Sequence, residues 1–292
     1  MANAPVPPAI PGVRRSRVQA RGVDFHVTEA GPADGTPVVC LHGWPQHHYE
    51  YRELLSAPPE GLRIIVPDLP GYGWSGPPPH PWYKEEIASD VLALLDQLGI
   101  ERCVLVGHDW GGFVGHLMVL SAPQRFSSYL ALNISHPWVT PKMLLPHLWR
   151  FLLYQPAVAA FGIPLQERTN LVPVAIRSSM VNRQAVTREQ LTWYGERFRD
   201  PTCARAGRDT YRTFWLRELP KRGLKRELRR STVPTLCVFG INDSAVHHSL
   251  AAAETANAEE YRLELVPGCG HFIVDERPEL IRERVISLAA QF

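Results

Sequence analysis

The sequence predicts an α/β fold: a mostly parallel sheet flanked by helices, with a helical cap inserted between two of its strands. Three observations carry this. Short apolar runs alternate with stretches of helical period through most of the 292 residues. These runs are near-continuously apolar, which marks strands buried on both faces and not half-solvated ones. From about residue 137 to 230 that rhythm stops, and the chain turns helical, Arg-rich and dotted with Trp149, Trp193 and Trp215.

Taken in order, residues 14–29 read as two strands around the Arg21-Gly22 turn. Residues 37–41 (PVVCL) and 62–67 (LRIIVP) read as buried strands ending at His42-Gly43 and Asp68. Residues 83–98 carry Ile87, Val91, Leu94, Leu95 and Leu98 on one helical stripe, stopped by Gly99. Residues 103–106 form a strand that runs into GHDWGG and then a helix to about 121. Strands follow at 128–133, 234–240 and 261–266, and a last helix starts near 278. The domain reading is a core of 1–136 and 231–292 with a cap of 137–230.

Composition excludes several classes. At 45% hydrophobic and 21% charged the chain is ordinary globular protein, and a net charge of +2 does not point to nucleic acid. Within 142–230, however, 18 Lys or Arg stand against 7 Asp or Glu. That surplus reads as a solvated, Arg-rich helical surface in preference to a nucleic-acid or phospholipid face. Of the five Cys, Cys40, Cys103 and Cys237 sit inside strand-like runs and no CxxC occurs, so a reducing, cytoplasmic setting is expected. The Pro-rich start MANAPVPPAIPG lacks the apolar core of a secretory signal, and no apolar run is long enough to span a membrane.

The chemistry concentrates at Val104-Leu105-Val106-Gly107-His108-Asp109-Trp110-Gly111-Gly112. A strand, a glycine-bounded turn and a helix in that order form a nucleophile elbow, with Asp109 where a serine usually stands. That residue decides the reaction type. A carboxylate attacking an ester or amide would form an anhydride, an uphill product. Attack on a saturated carbon bearing a leaving oxygen or halide forms a stable alkyl ester instead, which water can then cleave. Asp243, after the strand at 234–240, and His271, on the Gly-rich loop GCGHF, follow in the order nucleophile, acid, histidine. Asp243 is expected to hold the imidazole and His271 to deprotonate water. The backbone N–H groups of Trp44 and Trp110 are placed to form an oxyanion hole. The turn from Asp68 to Ser75 braces that face.

Together, HGWP, DLPGYGWS, GHDWGG and GCGHF resemble the epoxide hydrolase branch of the α/β hydrolases, over roughly residues 14–290. The resemblance implies an α/β-hydrolase fold and a small apolar epoxide substrate, with neither cofactor nor metal. It also implies two cap tyrosines that donate to the epoxide oxygen. Leu191-Thr192-Trp193-Tyr194 matches the second of these, so Tyr194 takes the acid role. The first falls on Trp149, a departure from the pattern. Trp149 and Tyr154 are therefore assigned to substrate binding, and Tyr154 or Tyr211 could replace the missing hydroxyl.

Haloalkane dehalogenases share the fold and the Asp, and Trp110 with Trp149 could serve as halide donors. Trp44 in place of the Asn usual there, and Tyr194, weigh toward the epoxide. A non-catalytic ligand receptor on the same fold is disfavoured by the complete Asp109, Asp243, His271 set. The pairs His47-His48 and His247-His248 match no metal pattern and are read as surface or loop residues. Asn133-Ile134-Ser135 is a sequon at a strand end where glycosylation is not expected. Oligomeric state, a homodimer included, is left open.

Overall fold

The computed structural model describes residues 6–220, 227–252 and 257–292. Eight strands form one sheet in the order β1-β2-β4-β3-β5-β6-β7-β8. β1 (Arg14–Ala20) and β2 (Val23–Ala30) pair antiparallel through the two-residue turn Arg21-Gly22, both at positive φ, the conformation that a tight hairpin of this hand requires. β2 is antiparallel to β4 (Leu62–Pro67). From there β3 (Thr36–Leu41), β5 (Cys103–His108), β6 (Phe126–Leu132), β7 (Thr235–Gly240) and β8 (Tyr261–Val266) are all parallel. β5 and β6 are buried at every position, as continuous apolar runs demand, whereas the edge strand β8 is only partly covered.

Helix α2 (Lys84–Gln97) buries Ile87, Val91, Leu94 and Leu95 and stops where Gly99 takes φ +66°. Helix α3 (Asp109–Ser121) is apolar nearly all round and is buried to match. These expectations agree with the structure. All five cysteines are buried and free.

Between β6 and β7 the described residues form helices and no named strand. The main ones are α5 (Leu148–Leu152), α6 (Gln155–Arg168), α7 (Leu171–Ser178), α8 (Arg188–Arg197) and α9 (Pro201–Thr213), the last running on into a π-helical turn, Phe214–Glu218. α6 bends at Phe161, which leaves helical geometry three residues before Pro164, a residue that cannot complete the ladder there. Thr187 and Gln190 close a reciprocal capping box at the start of α8. The chain leaves and re-enters the core at neighbouring points, joined by the Trp138 indole N–H donating to Arg229 O at 2.8 Å.

One buried cation fastens this helical layer to the sheet layer. Lys84, fully buried, places Nζ 2.8 Å from Glu218 Oε2 and donates to Thr210 O and to Thr213 Oγ1. It also lies 4.8 Å from the centre of the Trp110 ring. Glu218 in turn accepts the backbone N–H of Lys84 at 2.8 Å through Oε1, capping α2 from the other layer. Replacing Lys84 by Met keeps the stem and strands the Glu218 carboxylate. Urea denaturation should show a loss of about 3–5 kcal/mol, the range for breaking a buried pair from one side. A loss below about 1 kcal/mol would mean that the contact behaves as a solvated surface pair.

Candidate active site

The turn from β5 into α3 holds Asp109 at φ +49°, a left-handed conformation that non-glycine residues rarely adopt. Its neighbours must be glycine for steric reasons. A Cβ on Gly107 would lie 2.7 Å from Gly112 Cα, one on Gly111 2.3 Å from His42 O, and one on Gly43 2.4 Å from Asp109 Cβ. The loop after β3 is thereby pressed against the elbow. That contact puts the Trp44 N–H 2.9 Å from Asp109 Oδ2, and the Trp110 N–H also hydrogen-bonds this carboxylate. The other oxygen, Oδ1, faces His271 Nε2 at 3.6 Å, an ion-pair distance too long for a hydrogen bond.

His271 is held from several sides. Its Nδ1 lies 2.8 Å from Asp243 Oδ2. Its backbone N–H donates to Ser179 O at 2.8 Å, a bond across to the helical layer, and its carbonyl is 2.9 Å from His108 Nε2. Asp243 Oδ1 accepts the N–H groups of Ala245 and Val246 at 2.7 and 2.9 Å, as a loop aspartate does to set its own turn. Burial alone would neutralise this site. It lowers the His271 pKa, but the Asp243 carboxylate, then Asp109, outweigh it and raise the imidazole to about 10. Burial likewise pushes Asp109 up, yet His271, the charge on His108 and the Trp110 N–H hold it below the usual carboxylate range. The site is therefore an imidazolium between two carboxylates.

A cavity of about 380 Å³ opens on Asp109. Trp110 and Phe113 from α3 and Leu148, Phe151 and Tyr154 from the helical segment between β6 and β7 line it. Such a mostly apolar chamber with a few convergent polar groups is the usual form of a small-molecule site.

A model of the alpha/beta hydrolase fold matches residues 36–278. The chain belongs to the α/β-hydrolase family. It is 29% identical to the AB hydrolase superfamily protein YfhM of Bacillus subtilis, over 94% of this chain and 97% of that one. It is 28% identical to mouse epoxide hydrolase 4, over 91% of this chain and 76% of that one. The crystal structure of the epoxide hydrolase VrEH1 from Vigna radiata superposes with a TM-score of 0.78 at 23% identity, over 98% of this chain and 100% of that one, a likeness of fold.

Within this α/β-hydrolase, Asp109, Asp243, His271, Trp44, Trp110 and Tyr154 come together. Tyr194 and Trp149 do not join them, so both sequence assignments need correction. Tyr194 is fully buried away from the cavity, its ring 4.9 Å from that of His47 and 6.3 Å from that of Tyr49. α8 turns that face down onto the loop after β3 and not toward the elbow. Trp149 is 56% exposed on the outer side of α5, with Arg150 over its ring. The ring pair near Asp109 is instead Tyr154 and Tyr211, 5.8 Å apart, packed against Trp44 and Trp110. The Asp109 charge raises the pKa of both phenols, after burial, which is the largest cause for each.

Several residues escaped the sequence reading. Asn133, fully buried at φ +46°, is no glycosylation site. Its amide donates to Asp243 Oδ2 at 2.7 Å and to Gly270 O at 3.0 Å, and its Oδ1 accepts the Gly240 N–H at 3.1 Å. Glu50, fully enclosed, sits 3.3 Å from His108 Nδ1 and supports the imidazole that holds His271 O. His47 and His48, read as surface or loop residues, are both wholly buried, whereas His247 and His248 are half-exposed. His48, His26 and Asp68 form a group of metal-ligand type. Asp68 already takes His26 Nδ1 at 2.8 Å and His48 Nδ1 at 3.0 Å, with the Trp74 and His48 N–H groups on the same carboxylate. It acts as a brace, and the signal was the Asp of the glycine-rich turn.

Two outcomes follow. Asn133→Ala leaves the Gly240 N–H and Gly270 C=O unpaired, so denaturant titration should show a cost of about 1–3 kcal/mol for each group that water cannot reach. An unchanged midpoint would mean that solvent replaces the amide. The raised His271 pKa also sets a pH dependence. A group that binds its proton more tightly when folded contributes stability that is complete below about 6.5 and is lost as pH rises to about 10. Melting temperature should fall across that window in wild type, and that component should be missing in His271→Gln.

Proposed function

We propose that the chain is an epoxide hydrolase that opens small apolar epoxides to vicinal diols through an alkyl ester on Asp109. The observation that carries this reading is the elbow carboxylate itself: Asp109 lines the cavity, the Trp44 and Trp110 N–H groups hydrogen-bond it, and its Oδ1 lies 3.6 Å from His271 Nε2. A carboxylate so placed attacks saturated carbon and not an acyl group.

In the first step Asp109 Oδ1 bonds to a ring carbon and the carbon–oxygen bond breaks. The leaving oxygen takes the Tyr154 phenol proton. Gln155 Nε2 donates to the Tyr154 oxygen at 3.3 Å, which leaves the phenolic hydrogen free to point outward. Tyr211 hydrogen-bonds Tyr154 and assists. Once the ester forms, the Asp109 charge is gone, and the proton on His271 loses one of its two supports. Its pKa falls, it returns a proton to the tyrosinate, and a neutral imidazole remains. In the second step His271, oriented by Asp243, takes a proton from water as that water attacks Asp109 Cγ. Asp109 Oδ2 carries the developing charge into the Trp44 and Trp110 N–H groups. Ester cleavage releases the diol and restores the carboxylate and the imidazolium. Overall one epoxide and one water are consumed.

The dehalogenase alternative loses ground with Trp149, whose exposure removes the second halide donor. The five buried free thiols support a reducing, cytoplasmic setting.

His271→Gln should stop after the first step. Incubated with an epoxide, it should gain the whole mass of that epoxide in intact-mass spectra. With a haloalkane the gain, if any, would be the alkyl group without its halide, and a haloalkane adduct formed faster than any epoxide adduct would make the chain a dehalogenase. No adduct from a broad panel of either class would favour a receptor. The acid assignment has its own test. Tyr154→Phe should slow single-turnover alkylation by about 10²–10⁴, the usual span for a general acid. Tyr194→Phe and Trp149→Phe should stay near wild type, and the reverse pattern rejects Tyr154.

A further inference from the structure

The cap segment that walls the cavity is apolar on its outer side as well. Over residues 141–153 the backbone stays close to helical, with only His147 departing from it. Leu144, Leu148 and Phe151 point into the cavity. Leu145, Trp149, Leu152 and Leu153, at helical spacings of four, seven and eight from the first, face solvent at 72%, 56%, 50% and 72% exposure. An exposed apolar stripe of four large side chains along one helical segment marks a contact face. It lies one helix thickness from the chamber.

Charge identifies what that face meets. No Asp or Glu occurs between Asp109 and Glu167, while Lys142 and Arg150 flank the stripe. Residues 141–153 themselves hold these two bases and no acid. Two such caps brought together about a twofold axis would set like charges side by side. An anionic lipid surface instead offers negative headgroups to the bases and acyl chains to the leucines and the indole.

We propose that this face docks the protein onto anionic phospholipid surfaces, so that apolar molecules dissolved in the lipid reach the cavity across the wall formed by Leu144, Leu148 and Phe151. Arg150 Nη1 donates to Asp243 O at 2.9 Å, so the docked segment is tied to the loop that carries the catalytic acid. The docking does not depend on which bond the site cleaves.

Sedimentation with unilamellar vesicles tests it on the full chain. Wild type should bind vesicles of mixed phosphatidylglycerol and phosphatidylcholine at least about tenfold more tightly than phosphatidylcholine alone, and high salt should weaken that preference. The double variant Leu145→Glu/Leu153→Glu, with an unchanged melting temperature as its folding control, should lose about tenfold or more of that binding. Equal binding to neutral vesicles, no binding to anionic ones, or binding untouched by the double variant would each overturn the proposal. So would a concentration-dependent dimer that the double variant makes monomeric while vesicles bind neither form, for the stripe would then be a self-association face.

Discussion

Everything at the site depends on one backbone constraint: Asp109 held in a left-handed conformation at the crossing of three segments. The residue can adopt it because no Cβ stands at positions 43, 107 or 111, where one would come within 2.3–2.7 Å of neighbouring atoms. A strained φ at a non-glycine residue costs on the order of 1–3 kcal/mol and persists only where its surroundings over-determine it. Here the over-determination is the parallel packing of β3 beside β5, with Leu41 opposite Gly107. That register brings the Trp44 N–H to Asp109 Oδ2 and leaves Oδ1 on the side of His271.

The second constraint is electrostatic. Three ionisable groups share a site from which most water is excluded, and none is stable there alone. One imidazole between two carboxylates meets the need with the fewest charges. The arrangement then has a built-in asymmetry: Asp243 is fixed by Asn133, Ala245 and Val246, whereas Asp109 Oδ1 meets His271 Nε2 at 3.6 Å, beyond hydrogen-bond range. Under the proposed reaction that difference separates a positioning acid from a reacting one. Glu50 and His108, behind the sheet end, extend the same logic one shell outward by anchoring the His271 carbonyl.

The helical layer contributes by contact and not by local motif. Lys84 and Glu218 join it to α2, and Ser179 accepts the His271 N–H. Movement of that layer would therefore be felt at both ends of the site. The 141–153 segment has the cavity on one side and solvent on the other.

Core strands, the elbow and the grouping of Asp109, Asp243 and His271 were legible in the sequence because each rests on a local signal. Buried parallel strands are short apolar runs, and their chemistry sits at their carboxyl ends beside glycines that the turn geometry requires. Asp109, Asp243 and His271 could be read from that grammar alone, as could the N–H groups of Trp44 and Trp110. The cap tyrosines could not. Tyr154, Tyr194 and Tyr211 all lie in helical sequence, and the position of Tyr194 in a matching tetrapeptide says nothing about which face of α8 meets the elbow. Packing of α6 against α9 brought Tyr154 and Tyr211 together and turned Tyr194 toward His47. Asn133, Glu50 and His48 were decided the same way. A polar residue beside a strand end is solvated or satisfied by partners far along the chain, and only the tertiary structure supplies those partners.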